Sequence, residues 1–386
     1  MRHWAIASAL AWLAVTGARA DQVVIGAITP LGPGGKAAVE TALEVVNGKH
    51  AEIPVVSGQG GGLDRLGGAT VRAVFGDDAG DAGKAAAEAE RLVSAEHAVA
   101  LIGGGTDAAA AAIDAVAERH HLPFLSPLRS PSHEHDLSWF FRLAPTPDIT
   151  AASIFGFLGD RAKSVALVWD DTEAGRASAE AERKAAAAAG ATIVADLKVT
   201  PEAPALEAEA LVIAGAKPDV VIAPVGVRHA AGLVRAIAEQ HVSPIVALTG
   251  GSCVEPSFPS DAGAAAEGVF CASGYVGGRP GLAMVEAMFR QRSGAGIDAQ
   301  SAQVLTGALL LADVINRAGT TKPIELRAAL MDTNTPGEQT LMAWQGIRFD
   351  DAARNVLATP AIVQVQGGAF KTVAPDGLAT AAAVWK

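Results

Sequence analysis

Cysteine and tyrosine are almost missing from this 386-residue chain, which carries two Cys and one Tyr, with aromatic residues only 5% of the whole. The two cysteines, Cys253 and Cys271, allow at most one bridge, and only in an oxidising compartment. Two buried free thiols are the alternative, because nothing in the sequence shows whether their Cβ atoms face each other. No His pair completes a zinc pattern with them. Positive charge is also scarce: 30 Lys and Arg stand against 41 Asp and Glu, a formal charge of -11 with no basic run. Nucleic-acid binding and attachment to anionic membranes are therefore not expected. No apolar run reaches the roughly 20 residues needed to span a bilayer. The run from Trp4 to Val15, preceded by Arg2 and followed by Ala18 and Ala20, reads instead as a secretory signal cleaved before Asp21. A soluble periplasmic chain is the expectation.

Catalytic and nucleotide motifs are missing too. There is no GxSxG nucleophile elbow, no HExxH and no GK[ST]. The Gly-rich stretch SGQGGGLDRLGG neither follows a strand nor opens a helix, so it reads as a surface loop. No enzyme activity and no cofactor are expected.

What the chain does have is apolar content of 50% with 42 Gly, enough for two domains with sizeable cores. Short β-branched runs alternate with Ala-rich amphipathic stretches: VVIGAIT before a helix from Lys36 to Val46, TVRAVFGDD before one from Asp81 to His97, and AVALIGGG before one from Thr106 to His120. SVALVWDD and VVIAPVG precede helices from Glu173 to Ala189 and from Arg228 to Gln240. Apolar strands separated by such helices predict parallel sheets covered on both faces. In such sheets ligands collect beyond the carboxyl ends of the strands. After Ser273 three helices follow in succession, from Leu282, Ala299 and Ile324. QTLMAWQGIRFDD and TPAIVQVQGGAFKTV then read as extended pieces, the second a hairpin over Gly367 and Gly368. Asp77, Asp78 and Asp81 read as turn and helix caps.

Several segments in order, VVIGAITPLGPGG, FGDDAGDAGKAAAEAERLV, HLPFLSPLRSPSHEHDL with FFRLAPT, SVALVWDDTEAGRASAEAERK, GAKPDVVIAPVG, AAEGVFCASGY and MAWQGIRFDDAARN, resemble the type I periplasmic substrate-binding proteins of the branched-chain amino acid ABC transporter family. The likeness spans residues 21 to 375. It implies an α/β fold with two Rossmann-like lobes, parallel central sheets and a three-segment hinge crossed near Pro145, Tyr275 and Glu338. The implied organisation is a signal peptide over 1–20, a first lobe of 21–145 plus 276–338, and a second lobe of 146–275 plus 339–386. It further implies a monomer that captures a small polar or anionic ligand between its lobes and delivers it to the permease subunits of an ABC importer. A ligand-sensing receptor module and a binder of a metal or metal complex are alternatives.

The resemblance assigns ligand contacts to Gly105, Thr106 and Asp107, and to Arg129 and Ser130. Arg129 stands where the family has a small residue, as a bidentate partner for a carboxylate or as a solvated rim residue. In the second lobe the family's covering aromatic falls on Ala174, and its acid falls near Gly251 and Ser252, with Glu173 or Glu255 as substitutes. Tyr275 either lines the cleft or packs in the hinge. Arg228 opens a helix on the expected cleft side, where an anion is favoured. The loop His133, Glu134, His135, Asp136 offers alternating imidazoles and carboxylates to a transition metal, or is a plain surface loop.

Overall fold

Residues 22–29 form β1 (Gln22–Thr29), most of whose side chains are covered on both faces, as an interior parallel strand requires. The computed structural model describes residues 22–32, 34–50, 53–54, 61–127, 139–250, 255, 257–279 and 281–385. The signal segment, Arg129, Ser130, the loop holding His133, Glu134 and His135, Ser252 and Cys253 lie outside the described residues.

The first lobe continues through α1 (Gly35–Asn47), β2 (Thr70–Asp77), α2 (Ala82–Ser94), β3 (Leu101–Ile102), α3 (Asp107–His120), β4 (Phe124–Ser126) and β5 (Phe140–Arg142). These strands make one sheet in the order β2-β1-β3-β4-β5, parallel throughout. The second lobe runs α4 (Pro147–Leu158), β6 (Ser164–Asp170), α5 (Glu173–Ala188), β7 (Thr192–Val199), α6 (Glu207–Ala216), β8 (Val220–Ala223), α7 (Val227–Glu239), β9 (Ile245–Leu248), α8 (Phe258–Ala262) and β10 (Phe270–Ser273). The chain then lays α9 (Ala283–Ser293), α10 (Ala299–Ala318) and α11 (Pro323–Met331), a short β11 (Asn334–Pro336) and β12 (Gly346–Arg348), and ends in β13 (Ala361–Gln366) and β14 (Ala369–Ala374). The second sheet has the order β14-β13-β10-β9-β8-β6-β7. It is parallel from β7 to β10, with β13 and β14 added antiparallel. The β13–β14 turn uses Gly367 and Gly368 at φ of 60° and 75°, the left-handed pair a tight hairpin needs.

Each sheet is covered on both sides. Core residues of α1, α9 and α10 pack one face of the first sheet, and α2 and α3 pack the other. In the second lobe α6, α7 and α8 cover one face and α4 and α5 the other. Among the described residues no helix is long and apolar enough to cross a membrane.

The last part of the chain departs from the sequence reading in two ways. The run 339–351, expected to be extended, pairs only over Gly346–Arg348 with β11. Leu341, Met342, Trp344, Ile347, Phe349, Ala353 and Ala358 are buried in the core of the first sheet, whereas residues 339–386 were expected on the second lobe. Long-range bonds hold them there. Arg279 Nη1 donates to the Met342 carbonyl at 2.7 Å, and Arg142 N–H donates to the Ala353 carbonyl at 2.9 Å, beside β5. The third crossing between sheets is therefore at Thr359 and Pro360, just before β13, and not near Glu338. The other two pass through Ala144–Pro145 and Gly274–Tyr275.

Candidate functional site

In the first sheet β1 has β2 on one side and β3 on the other; in the second, β6 stands between β7 and β8. At such reversals of strand order the following loops run in opposite directions and leave a crevice beyond the carboxyl ends. The loops after β1 and β3 face those after β8 and β9 across one cleft of about 540 Å³, and all three crossings reach its wall through Ala144, Pro145, Gly274 and Pro360.

The first-lobe wall is made of Pro30, Gly32, Gly105 and Thr106, joined by Asp298, Gln300 and Gln303 at the start of α10. Two of its helix starts, those of α3 and α10, are capped by nearby side chains. The Thr106 hydroxyl accepts from Ala109 N–H at 3.1 Å, and Asp298 Oδ1 accepts from Ser301 N–H at 2.7 Å, each relieving one of the unpaired donors at a helix start. Gly105 is there because a Cβ would lie 2.1 Å from the Pro30 carbonyl oxygen.

The second-lobe wall is made of Gly226, Val227, Thr249, Gly250 and Glu255, with Thr150 from α4. A Cβ on Gly250 would lie 2.4 Å from the Val225 carbonyl oxygen, so this wall too is shaped by backbone against backbone. The start of α7 has no side-chain cap of its own. Asp170, at the end of β6, does the work from a distance: Oδ2 accepts from Gly226 N–H at 2.6 Å, and Oδ1 lies 2.6 Å from Nδ1 of buried His229. His229 Nε2 is 3.2 Å from the Ala203 carbonyl oxygen. Asp170 is thus a positioning residue for the α7 edge of the cleft.

Among the described wall residues the ionisable groups are the carboxylates Glu255 and Asp298, with no Lys, Arg or His. The hydroxyls of Thr106 and Thr150 and the amides of Gln300 and Gln303 supply both donors and acceptors.

Of the sequence-derived positions, Thr106 and Gly105 lie in the wall, as does Glu255. Asp107 is half-buried in the first turn of α3 and Glu173 and Arg228 are exposed at the starts of α5 and α7, all outside the lining. Tyr275 turns away from the cleft: its hydroxyl donates to Glu286 Oε1 at 2.8 Å, and it bridges to Met342. Burial and the Glu286 carboxylate push this hydroxyl above the usual tyrosine range. Cys271 is fully buried in β10 and is not a free thiol; the pairing expected for it involves Cys253, outside the described residues. No cluster of metal ligands occurs among the described residues. Asp81 caps α2 at Lys84 N–H, and Asp77 and Asp78 accept from the turn at Ala79 and Gly80.

Sequence reasoning missed Gln300, Gln303, Thr150 and Thr249. The two glutamines had one available signal, their spacing of three directly after the Asp298 cap, which puts them on one side of the first helical turn. A cavity of about 570 Å³ at the amino ends of β8 and β9, lined by Lys217, Asp219, Pro244 and Trp385, draws on the second lobe only. It cannot respond to contacts from both lobes.

Solved structures share this architecture. One described as a branched-chain amino acid ABC transporter from Rhodospirillum rubrum is 22% identical, with a TM-score of 0.76 over 91% of this chain and 100% of that one. A second so described, from Silicibacter pomeroyi, is 17% identical with a TM-score of 0.79, covering 94% of this chain and 98% of the other. The branched-chain amino acid substrate-binding protein LivJ of Streptococcus pneumoniae, in complex with isoleucine, is 18% identical with a TM-score of 0.73, covering 92% and 100%. No curated protein matches the sequence. The profile of the periplasmic binding proteins matches residues 23–369, and with this span and the two-lobed cleft the chain belongs to the periplasmic binding protein family.

Proposed function

We propose that the protein captures a small polar solute in the interlobe cleft and hands it, lobes closed, to the permease subunits of an ABC importer. One observation carries the reading: one cleft draws its walls from the loops after β1 and β3 of the first sheet, from those after β8 and β9 of the second, and from all three crossings. A solute shifts the lobes toward closure only through contacts that differ between open and closed states, so a site shared by both lobes couples occupancy to shape. Its size suits a metabolite.

The wall chemistry favours a solute that both donates and accepts hydrogen bonds. Hydroxyls and amides from Thr106, Thr150, Gln300 and Gln303 and the Glu255 carboxylate suit an amino-acid-like zwitterion better than a simple anion. Leucine and isoleucine, bound by structural neighbours, are the first compounds to try, with Arg129 proposed as partner of the carboxylate. Calorimetric titration of the mature protein with amino acids, organic anions and divalent metals tests the reading. Heat from amino acids, a more compact scattering profile on binding and a more than tenfold loss with Arg129→Ala are expected. Heat from metals alone would sink it.

A further inference from the structure

A solute entering the cleft meets few apolar side chains. Among the described wall residues there is no Leu, Ile, Met, Phe, Trp or Tyr; Val227, three prolines and three alanines supply what apolar surface there is. Small-molecule sites are ordinarily lined by hydrophobic and aromatic side chains with a few polar groups among them. This wall reverses the proportion.

The first lobe presents two amides instead. Asp298 caps the start of α10, and Gln300 and Gln303 follow it at a spacing of three, on one side of the helix. Ser301 and Ala302, between them, are buried. Gln300 reaches across to the loop between β1 and α1. A Cβ on Gly32, whose φ is 81°, would lie 2.7 Å from Gln300 Oε1, so a residue without a side chain is what lets the amide lie against this loop. Gln303 is half-buried. Both line the cleft, and neither side chain has a hydrogen-bond partner among the described residues. Each therefore keeps two N–H donors and a carbonyl oxygen free for a solute, with no charge attached.

We infer that Gln300 and Gln303 are specificity-determining residues, and that they select a solute with a short, uncharged arm that both donates and accepts hydrogen bonds, a carboxamide and not a branched alkyl group. The inference rests on the solute-binding reading and names the substrate class of that site. Closure of the lobes expels water from around the two amides. A carboxamide gives each of them a matching donor and acceptor in return. An isobutyl arm leaves both without partners in a dry site and finds little apolar surface in exchange. A carboxylate arm brings a second negative charge close to Asp298, which stands directly before the pair.

The test is titration calorimetry of the mature protein with L-asparagine, L-leucine and L-aspartate, whose arms share one branched shape and differ in the two terminal groups. L-asparagine should bind about tenfold tighter than either of the others, since a site built for hydrogen bonds rejects an analogue that lacks them. Gln300→Leu and Gln303→Leu should each weaken asparagine by about tenfold and leave leucine unchanged or tighter, a pattern that a folding defect does not produce. Leucine or aspartate binding as tightly as asparagine, or a preference for asparagine that both variants retain, overturns the inference and leaves solute binding standing. Absence of binding by all three overturns it as well, and if divalent metals alone give heat in the same titrations, the solute-binding reading falls with it.

Discussion

The two walls of the cleft solve the same problem by different means. On the first lobe the starts of α3 and α10 are each closed by a residue at its own threshold, Thr106 and Asp298. On the second, α7 begins at an uncapped Gly226 held by Asp170, 56 positions earlier in the chain. The first wall is thus robust to change elsewhere, whereas the second depends on tertiary packing. Stability and binding should respond accordingly.

The largest effect should come from Asp170→Ala. It strips the partner from buried His229 and from Gly226 N–H, and unsatisfied buried groups of this kind cost about 3 kcal/mol together. Denaturant unfolding of the variant should show a loss of that order, and a cost no greater than that of a surface substitution would break the proposed contrast. Glu182→Gln should act in the opposite direction. An acid on the buried face of α5, raised by that burial from 4.5 to about 7 on folding, binds more protons in the native than in the unfolded state across that interval. Stability attributable to it is therefore present below 4.5 and falls as pH rises to 7. The variant should gain roughly 2–3 kcal/mol at pH 8 and close to nothing at pH 4; equal gains at both would show that the residue stays in one charge state.

Gly105→Ala and Gly250→Ala sharpen the comparison, one from each wall. Each puts a methyl against a carbonyl oxygen, and backbone must shift at a cost of about 1–3 kcal/mol. Both should weaken leucine binding in calorimetry, and a binding loss confined to one of them would argue against a site shared by both walls. The smallest change should follow Thr106→Ala, where a lost N-cap costs about 1 kcal/mol. Thr106→Ser, keeping the cap, should restore the thermal midpoint; failure to do so would remove capping as the explanation.

Much of the architecture was readable because its determinants are local. The helix placed over 299–317 ends at Ala318, and that placed over 173–189 ends at Ala188, since apolar spacing and threshold residues decide both. Met342 and Trp344 were read as a continuous strand because their apolar pattern permits one. Their actual course is set by Arg279, 63 positions away from Met342, which no local window contains. The cleft divides in the same way. Gly105 and Thr106 follow directly from a strand-to-helix turn, whereas Gln300 and Thr249 join the wall only once three chain crossings have brought distant segments together. Glu182 did carry a sequence signal, an acid within a row of Gly and Ala at helical intervals, but only the packing of α5 shows that this row faces the core.

The three crossings also set the entropy of the unliganded state. Two of them contain a proline, Pro145 and Pro360, which offers no N–H to a ladder, so these tethers bend without first breaking sheet pairing. Three attachments side by side nevertheless forbid the twisting and sliding that one linker would allow. Fewer relative motions are then open to the lobes than a lone linker would leave, so part of the freedom that capture would otherwise have to remove is already gone before a solute arrives.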